Sequence, residues 1–145
     1  MTVSKLAFPP SKYVRWFADA AQEYRDNAAD CLAALNDGEF NRAAYDRRDD
    51  AWNEASNLFD CQVDKIIEEH NEVLAEADLE KVEENEASAL SLMGECADLV
   101  QATLQLMYMV GSLHGIPTNE VLGMTKLKCL GRDREFYDLT RGEKD

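Results

Sequence analysis

Apolar side chains recur every three or four positions along most of this chain, a spacing typical of amphipathic helices. The first predicted helix runs from Lys12 to Leu35, after the Pro9-Pro10 pair and a capping position at Ser11. Its apolar stripe consists of Tyr13, Phe17, Ala20, Tyr24, Ala28, Cys31 and Leu35. The sequence Asn36-Asp37-Gly38 then predicts the end of the helix and a turn.

The next segment, from Glu39 to Asp78, contains neither Gly nor Pro. Its large apolar residues fall at intervals of seven: Tyr45, Trp52, Phe59, Ile66 and Val73. We interpret this repeat as core packing rather than as a coiled coil or a cofactor device. Because roughly forty residues is long for one helix of a globular protein, we expect a break within Asn53–Asn57. A second helix would then run from about Leu58 to Ala77.

An acidic segment from Ala77 to Ala87 predicts a solvated reversal of the chain, although no Gly or Pro marks the turn. The helix predicted after it, Ala87 to Leu113, carries an apolar stripe wide enough to be buried on more than one side. We expect this helix to lie at the centre of a bundle, with a second subunit covering part of it. Tyr108 and the methionines are better assigned to this core or interface than to a base pocket.

Gly115 is predicted to end that helix, Pro117 to begin the next, and Asn119–Leu127 to be helical. Gly131 would close this last helix. Together these patterns predict an all-α protein, a bundle of four to five helices whose core is completed by oligomerisation. Residues 1–145 would form one domain, with an N-terminal tail at residues 1–10 and a charged tail at residues 132–145.

Net charge, apolar runs and cysteine spacing exclude several classes of protein. The chain has 145 residues and a net charge of −14, which argues against nonspecific binding to nucleic acid or to an anionic membrane. It contains neither a long apolar run nor a segment of signal-peptide type, so we expect a cytoplasmic protein. The four cysteines are widely spaced without a histidine pair, which predicts neither a zinc site nor a disulfide scaffold.

Two carboxylate pairs at helical spacing carry the candidate chemistry. Glu69 and Glu72 lie three positions apart, and so do Glu95 and Asp98. On one straight helix Glu72 and Glu95 would be about 35 Å apart, but in a helical hairpin all four carboxylates face one volume. Such close negative charges repel, so we expect a cation between them. Because all the ligands are oxygens, Mg²⁺ or Mn²⁺ is the expected ion.

The pattern Glu-Glu-x-x-Glu at residues 68–72 followed by Glu-x-x-Asp at residues 95–98 resembles the metal motif of the all-α nucleoside triphosphate pyrophosphohydrolases. These include MazG-like enzymes, dimeric dUTPases, dCTP pyrophosphatases and phosphoribosyl-ATP pyrophosphohydrolase. The resemblance covers about residues 52–132. It implies two or three Mg²⁺ or Mn²⁺ ions per site, attack of a bound water on the α-phosphorus, and release of a monophosphate and pyrophosphate. It also implies a homodimer or homotetramer, and the host cytoplasm if the chain is phage-encoded.

The same resemblance assigns further roles. Glu68 or Glu69 would take the proton of the attacking water as the catalytic base. Gly123-Met124-Thr125-Lys126-Leu127 is similar to the family's Asn-Met-Ser/Thr-Lys-Leu segment, with Gly in place of Asn, so Lys126 would bind the phosphates. Trp52, with Trp16 as the second candidate, would stack on the base. A buried or interface tryptophan is the alternative for Trp52. Lys128 and Arg132 are weaker phosphate-binding candidates, and His70 is better read as a packed residue than as a ligand.

Three other readings compete with this one. A ferritin-like di-iron bundle needs Glu-x-x-His pairs, but Ile67 and Gly111 stand three positions before the two histidines, which excludes it. A non-enzymatic acidic helical protein that binds a basic partner, or mimics nucleic acid, agrees with the net charge. A purely structural bundle is the third. Neither of the last two explains carboxylates paired within apolar helices.

The base and sugar preference follows only from the resemblance, which favours deoxynucleoside triphosphates.

Overall fold

Five α-helices and no strand make up residues 8–141, the part of the chain that the computed structural model describes, with side chains described as far as residue 132. In chain order the helices are α1 (Lys12–Asn36), α2 (Arg42–Glu76), α3 (Leu79–Glu84), α4 (Glu86–His114) and α5 (Thr118–Arg141). The prediction of an all-α helical bundle is therefore confirmed. Within this part of the chain, no helix is both long enough and apolar enough to cross a membrane.

The core lies where α1, α2 and α4 pack together, at one end of the two longer helices. Phe17 of α1 and the fully buried Met109 of α4 are its largest buried members. Buried alanines, including Ala44, Ala51 and Ala55 of α2, allow the helices to approach closely at this end. The other halves of α2 and α4 continue beyond this core as a helical hairpin.

The break predicted within residues 53–57 is wrong, because α2 is a single helix of 35 residues. Ala51 and Ala55 point into the core, whereas Asn53, Glu54 and Asn57 lie on the exposed side of the same helix. The polar stretch is therefore the outer face of a continuous helix. With neither Gly nor Pro to interrupt it, packing of its inner face against α1 is enough to keep the helix intact.

The predicted reversal between residues 77 and 87 is confirmed, and two polar side chains produce it. Asp78 caps α3 by accepting hydrogen bonds from the backbone amides of Glu80 and Lys81, at 3.1 and 3.4 Å. Asn85 then ends α3 and caps α4, accepting from the amide of Ala87 at 2.8 Å. Capping residues therefore fold the chain back on itself where glycine and proline are absent.

The C-terminal region departs from the prediction. Gly115, with φ of 65°, ends α4 as expected. However, α5 passes through Gly131 and reaches Arg141, so the prediction that Gly131 closes this helix is wrong. A helical glycine costs only about 1 kcal/mol and does not stop a helix by itself. The last four residues of the predicted tail, 142–145, lie outside the described residues, as do residues 1–7 of the N-terminal one.

The buried side chain of Gln105 in α4 forms hydrogen bonds to the segment before α1. Gln105 donates from Nε2 to the carbonyl oxygen of Pro9 at 3.1 Å and accepts at Oε1 from the amide of Ser11 at 2.8 Å. The hydroxyl of Tyr108 donates to the carbonyl oxygen of Phe8 one turn later. The start of α1 is thus fixed by hydrogen bonds that only an amide side chain can make from both of its ends.

Replacing Gln105 with Leu is expected to lower the free energy of unfolding by about 1–3 kcal/mol, because two backbone groups lose their partners in a partly buried place. Urea unfolding monitored by circular dichroism measures the change. Gln22→Leu is the matched control, since Gln22 is exposed and bonds only to Asp26 on the surface. The control should change stability by no more than about 0.5 kcal/mol. Equal effects of the two substitutions would contradict a stabilising role for the hydrogen bonds of Gln105.

Candidate metal centre

The two acidic motifs meet between the outer halves of α2 and α4. Gln62 of α2 donates to the carbonyl oxygen of Ala102 of α4 at 2.8 Å, and Ser91 of α4 donates to Glu76 of α2 at 3.3 Å. These two cross-links fix the register of the antiparallel helices. All four predicted carboxylates lie between the cross-links, two on each helix, at Glu69, Glu72, Glu95 and Asp98.

Three of the four carboxylates converge closely. One oxygen from each of Glu69, Glu95 and Asp98 lies within 4.8 Å of the other two. Ligand oxygens on opposite sides of an octahedral Mg²⁺ are about 4 Å apart, because each lies about 2 Å from the ion. At most one pair of three ligands can lie on opposite sides of one ion, and adjacent ligands lie about 3 Å apart. The cluster, by which we mean these three residues, would therefore have to contract to surround a divalent cation. Glu69 is buried, Glu95 is half-buried and Asp98 is exposed, so the cluster opens towards solvent on one side.

Two buried oxygens in the cluster have no hydrogen-bond partner among the described residues. They are Oε2 of Glu69 and Oε2 of Glu95. Leaving a buried acceptor unsatisfied costs free energy, and the cost is greater for a charged carboxylate. Both oxygens belong to residues of the converging set. A cation between the helices would be a partner for both.

Glu72 belongs to the same volume but interacts differently. The carboxyl group of Glu95, and after it that of Glu69, comes close enough to share a proton with Glu72, and this raises the pKa of Glu72 to about 7. A proton on Glu72 therefore relieves part of the repulsion among the carboxylates when no metal is bound. The predicted set of four is brought together, with Glu72 beside the cluster rather than within its tightest part.

Lys65, which none of the sequence motifs predicted as a site residue, contacts the cluster from outside. Lys65 Nζ lies 2.7 Å from Oε1 of Glu69 and 3.6 Å from an oxygen of Glu68. The hydrogen bond from Lys65 is the main cause that lowers the pKa of Glu69. Glu68 is exposed and pairs with this lysine. The signal was present in the sequence, since Lys65 precedes Glu69 by one helical turn.

The other residues considered for substrate or metal binding lie outside the cluster. Trp52 is 17 residues before Glu69 on α2, about 25 Å along the helix. Its ring packs against Tyr24, with centroids 5.1 Å apart, at the wall of a cavity of about 580 Å³. His70 is exposed, so the prediction of a packed histidine is wrong. Lys126, Lys128 and Arg132 of α5 are exposed as well. Their roles, and that of Trp52, stay predictions.

No protein-family model, curated protein or solved structure matches this chain. The resemblance to the all-α nucleoside triphosphate pyrophosphohydrolases therefore depends on the two acidic motifs and on the Gly123–Leu127 segment. The fold places the two acidic motifs on facing helices, at the same level of the hairpin.

The raised pKa of Glu72 predicts a specific dependence of stability on pH. In the unfolded chain this carboxyl group has its ordinary pKa of 4.5, whereas in the folded protein the pKa is about 7. Between these values the folded protein holds a proton that the unfolded chain has released, so the free energy of unfolding falls as pH rises. We expect this fall in metal-free protein between about pH 5 and pH 7, measured by urea unfolding with a chelator.

Glu72→Gln should remove this contribution, because the amide has the shape of the protonated carboxyl group and does not titrate. Asp64→Asn, an exposed change on the same helix, should retain it. The lowered pKa of Glu69 acts in the opposite sense but at lower pH, since its stabilisation is lost as pH falls below the ordinary 4.5. An unchanged pH profile in the Glu72→Gln variant would contradict the shared proton.

Proposed function

We propose that this protein is a metal-dependent nucleoside triphosphate pyrophosphohydrolase that releases a nucleoside monophosphate and pyrophosphate. The observation that carries the proposal is the convergence of Glu69, Glu95 and Asp98 within 4.8 Å, together with two buried carboxylate oxygens that lack a partner. Acidic residues spread over a surface for solubility would be hydrated. In this protein Glu69 is buried and Glu95 is half-buried, and the two carboxylates are held beside Asp98 between two helices.

The donor set supports Mg²⁺ or Mn²⁺. All the converging ligands are carboxylate oxygens, and neither sulfur nor imidazole belongs to the cluster. Hard divalent cations prefer such oxygens and retain open positions for water and phosphate. The exposed side at Asp98 is where a triphosphate would reach the ions. Two or three ions per site, as the resemblance implies, would require Glu72 to lose its proton and become a ligand.

The chain's own residues have distinct tasks in this reaction. Bound Mg²⁺ or Mn²⁺ would supply Lewis-acid stabilisation of the phosphate oxygens and an acidified water. Glu69, Glu95 and Asp98 would hold the ions at the level of the α-phosphate. Of the two carboxylates proposed to accept the water proton, Glu69 belongs to the cluster and Glu68 lies beside it at the surface, and both contact Lys65.

Base and phosphate recognition would involve a second copy of the chain. Within one chain Trp52 is about 25 Å along α2 from Glu69, too far to stack on the base of a nucleotide bound at the cluster. The outer hairpin, residues 64–98, also exposes large apolar side chains that a partner would cover: Ile67, Leu74, Leu90 and Met93. We propose a homodimer or homotetramer in which Trp52 and Lys126 reach the site of another subunit. A cytoplasmic location and a deoxynucleotide substrate belong to the same proposal.

A second candidate function has its own support. Residues 64–98, the outer hairpin, carry twelve acidic residues against two lysines. A strongly negative rod of this kind would also bind a basic protein without any catalysis. The two functions differ in their response to divalent metal, since a basic-protein ligand needs no metal site.

Mg²⁺ or Mn²⁺ is expected to raise the melting temperature of the full chain, because a ligand that binds only the folded protein stabilises it by mass action. At about 100 times the dissociation constant the gain is about 2.7 kcal/mol. Glu95→Gln and Asp98→Asn should lose this stabilisation. Asp64→Asn and Glu86→Gln, exposed acidic positions on the same two helices, are the controls and should keep it. Equal responses in all four variants would indicate nonspecific screening and favour the acidic binding protein.

With Mg²⁺ or Mn²⁺ present, the protein is expected to release pyrophosphate from at least one common ribo- or deoxynucleoside triphosphate. Chromatography identifies the monophosphate, and phosphate detection with and without added inorganic pyrophosphatase distinguishes pyrophosphate from orthophosphate. Asp98→Asn should abolish the activity, whereas Glu86→Gln should not. Direct release of orthophosphate, or activity that survives in the Asp98→Asn variant, would contradict the proposed reaction.

A further inference from the structure

Lys65 is a charged residue at the cluster for which the proposed reaction has no use. It lies on α2 one turn before Glu69, and its Nζ is 2.7 Å from Oε1 of that glutamate. The side chain of Glu69 is 7% exposed, whereas that of Lys65 is 50% exposed. The lysine therefore approaches from the solvent side and reaches an almost fully buried carboxylate. Glu68, at 3.6 Å, contacts the same ammonium group from the surface.

The contact divides the two oxygens of Glu69 between different surroundings. Oε1 bonds to Lys65, whereas Oε2 is buried without a partner. Fixing one oxygen of a carboxylate fixes the plane of the group and hence the position of the other oxygen. The oxygen left free belongs to a residue that converges with Glu95 and Asp98.

Helix stabilisation alone gives a poor account of this pair. A lysine placed four residues before a glutamate is the less favourable order for an ion pair along a helix. Exposed pairs of this type also contribute little to stability. A comparable surface pair on the same helix, Arg42 with Asp46 at 3.4 Å, joins two exposed side chains and no buried group. Lys65 differs because its partner belongs to the cluster.

We propose that Lys65 is a positioning residue for the metal centre, which holds Oε1 of Glu69 so that Oε2 is directed towards Glu95 and Asp98 to receive the cation. Glu68 holds Lys65 in place from the other side, which gives that carboxylate a role other than catalysis. This inference rests on the proposed metal-dependent function, since it specifies how one ligand of that site is oriented. Groups that orient metal ligands in this way strengthen metal binding in other proteins.

The sign of one measurement separates positioning from simple electrostatics. A positive charge beside the site repels a divalent cation, so on charge alone the loss of Lys65 would tighten metal binding. If Lys65 orients Glu69, its loss would weaken binding, because the carboxylate becomes free to rotate away. The two effects oppose each other, and the direction of the change shows which one dominates.

The experiment is Mn²⁺ titration of the full chain, by electron paramagnetic resonance of free Mn²⁺ or by calorimetry. Lys65→Met keeps the aliphatic stem and removes the ammonium group, and it is expected to raise the Mn²⁺ dissociation constant about 10–100-fold. Lys65→Arg keeps a charged donor and should restore the dissociation constant to within a few-fold of the original. Arg42→Met is the matched control, because it deletes an ion pair of the same spacing on the same helix. It should leave Mn²⁺ binding unchanged.

Unchanged or tighter Mn²⁺ binding by the Lys65→Met variant would overturn the positioning role. The same conclusion would follow if that variant bound Mn²⁺ normally but required more nucleoside triphosphate for half-maximal rate, since Lys65 would then bind phosphate. Failure of Lys65→Arg to restore affinity would also overturn it. If the unsubstituted chain bound no Mn²⁺, the metal centre itself would be overturned, and with it both the proposed function and the role of Lys65. Circular dichroism confirms that each variant keeps its helix content.

Discussion

Mutual repulsion of carboxylates between two antiparallel helices is the constraint on which the outer half of this structure depends. Glu69, Glu95 and Asp98 converge, and Glu72 lies beside them, in a region that α1 does not cover. Such a group separates unless the helices are held together elsewhere or a positive charge lies between them. The core around Phe17 and Met109 holds α2 and α4 at one end, and the reversal at residues 77–85 joins them at the other. The repulsion is therefore confined between two fixed ends.

Without a cation, the protein reduces this repulsion in two ways. A proton is retained near neutral pH by Glu72, whose pKa is raised by Glu95 and then by Glu69. An ammonium group is supplied by Lys65, which bonds to the buried carboxylate of Glu69. The single proton of Glu72 is shared with Glu95 and Glu69, and the lysine bonds to Oε1 of Glu69, so part of the negative charge of the group is not compensated. In the proposed metal centre, a divalent cation would replace this proton and relieve the repulsion that the proton and the lysine leave.

Much of the arrangement could be predicted from the sequence, and the errors have physical causes. The spacing of Glu69 with Glu72, and of Glu95 with Asp98, was sufficient to place each pair on one face of a helix. That the two helices face each other followed from the chemistry expected of four carboxylates, not from a local signal for the turn. The continuity of α2 was missed because polar residues at 53, 54 and 57 suggest a loop until the packing of Ala51 and Ala55 is known. Asp78 and Asn85 terminate and start helices through capping, which is a weaker sequence signal than glycine or proline. The length of α5 was not predicted, because Gly131 suggests a helix end although a glycine alone does not terminate a helix.

The separation of the aromatic cavity from the carboxylates bears most directly on how the molecule works. Tyr24 and Trp52 line a cavity beside the core, whereas the cluster lies about 25 Å further along α2. Since α2 is unbroken, no bend in that helix brings the two together within one chain. An antiparallel second copy of the hairpin would cover the exposed apolar residues of the outer half, and the same arrangement would place the aromatic end of one chain near the acidic end of the other. If the protein is the pyrophosphohydrolase that we propose, helix length links assembly to substrate recognition. The proposed phosphate and base sites would lie about 25 Å apart along one helix, so a second chain would be needed to complete either site.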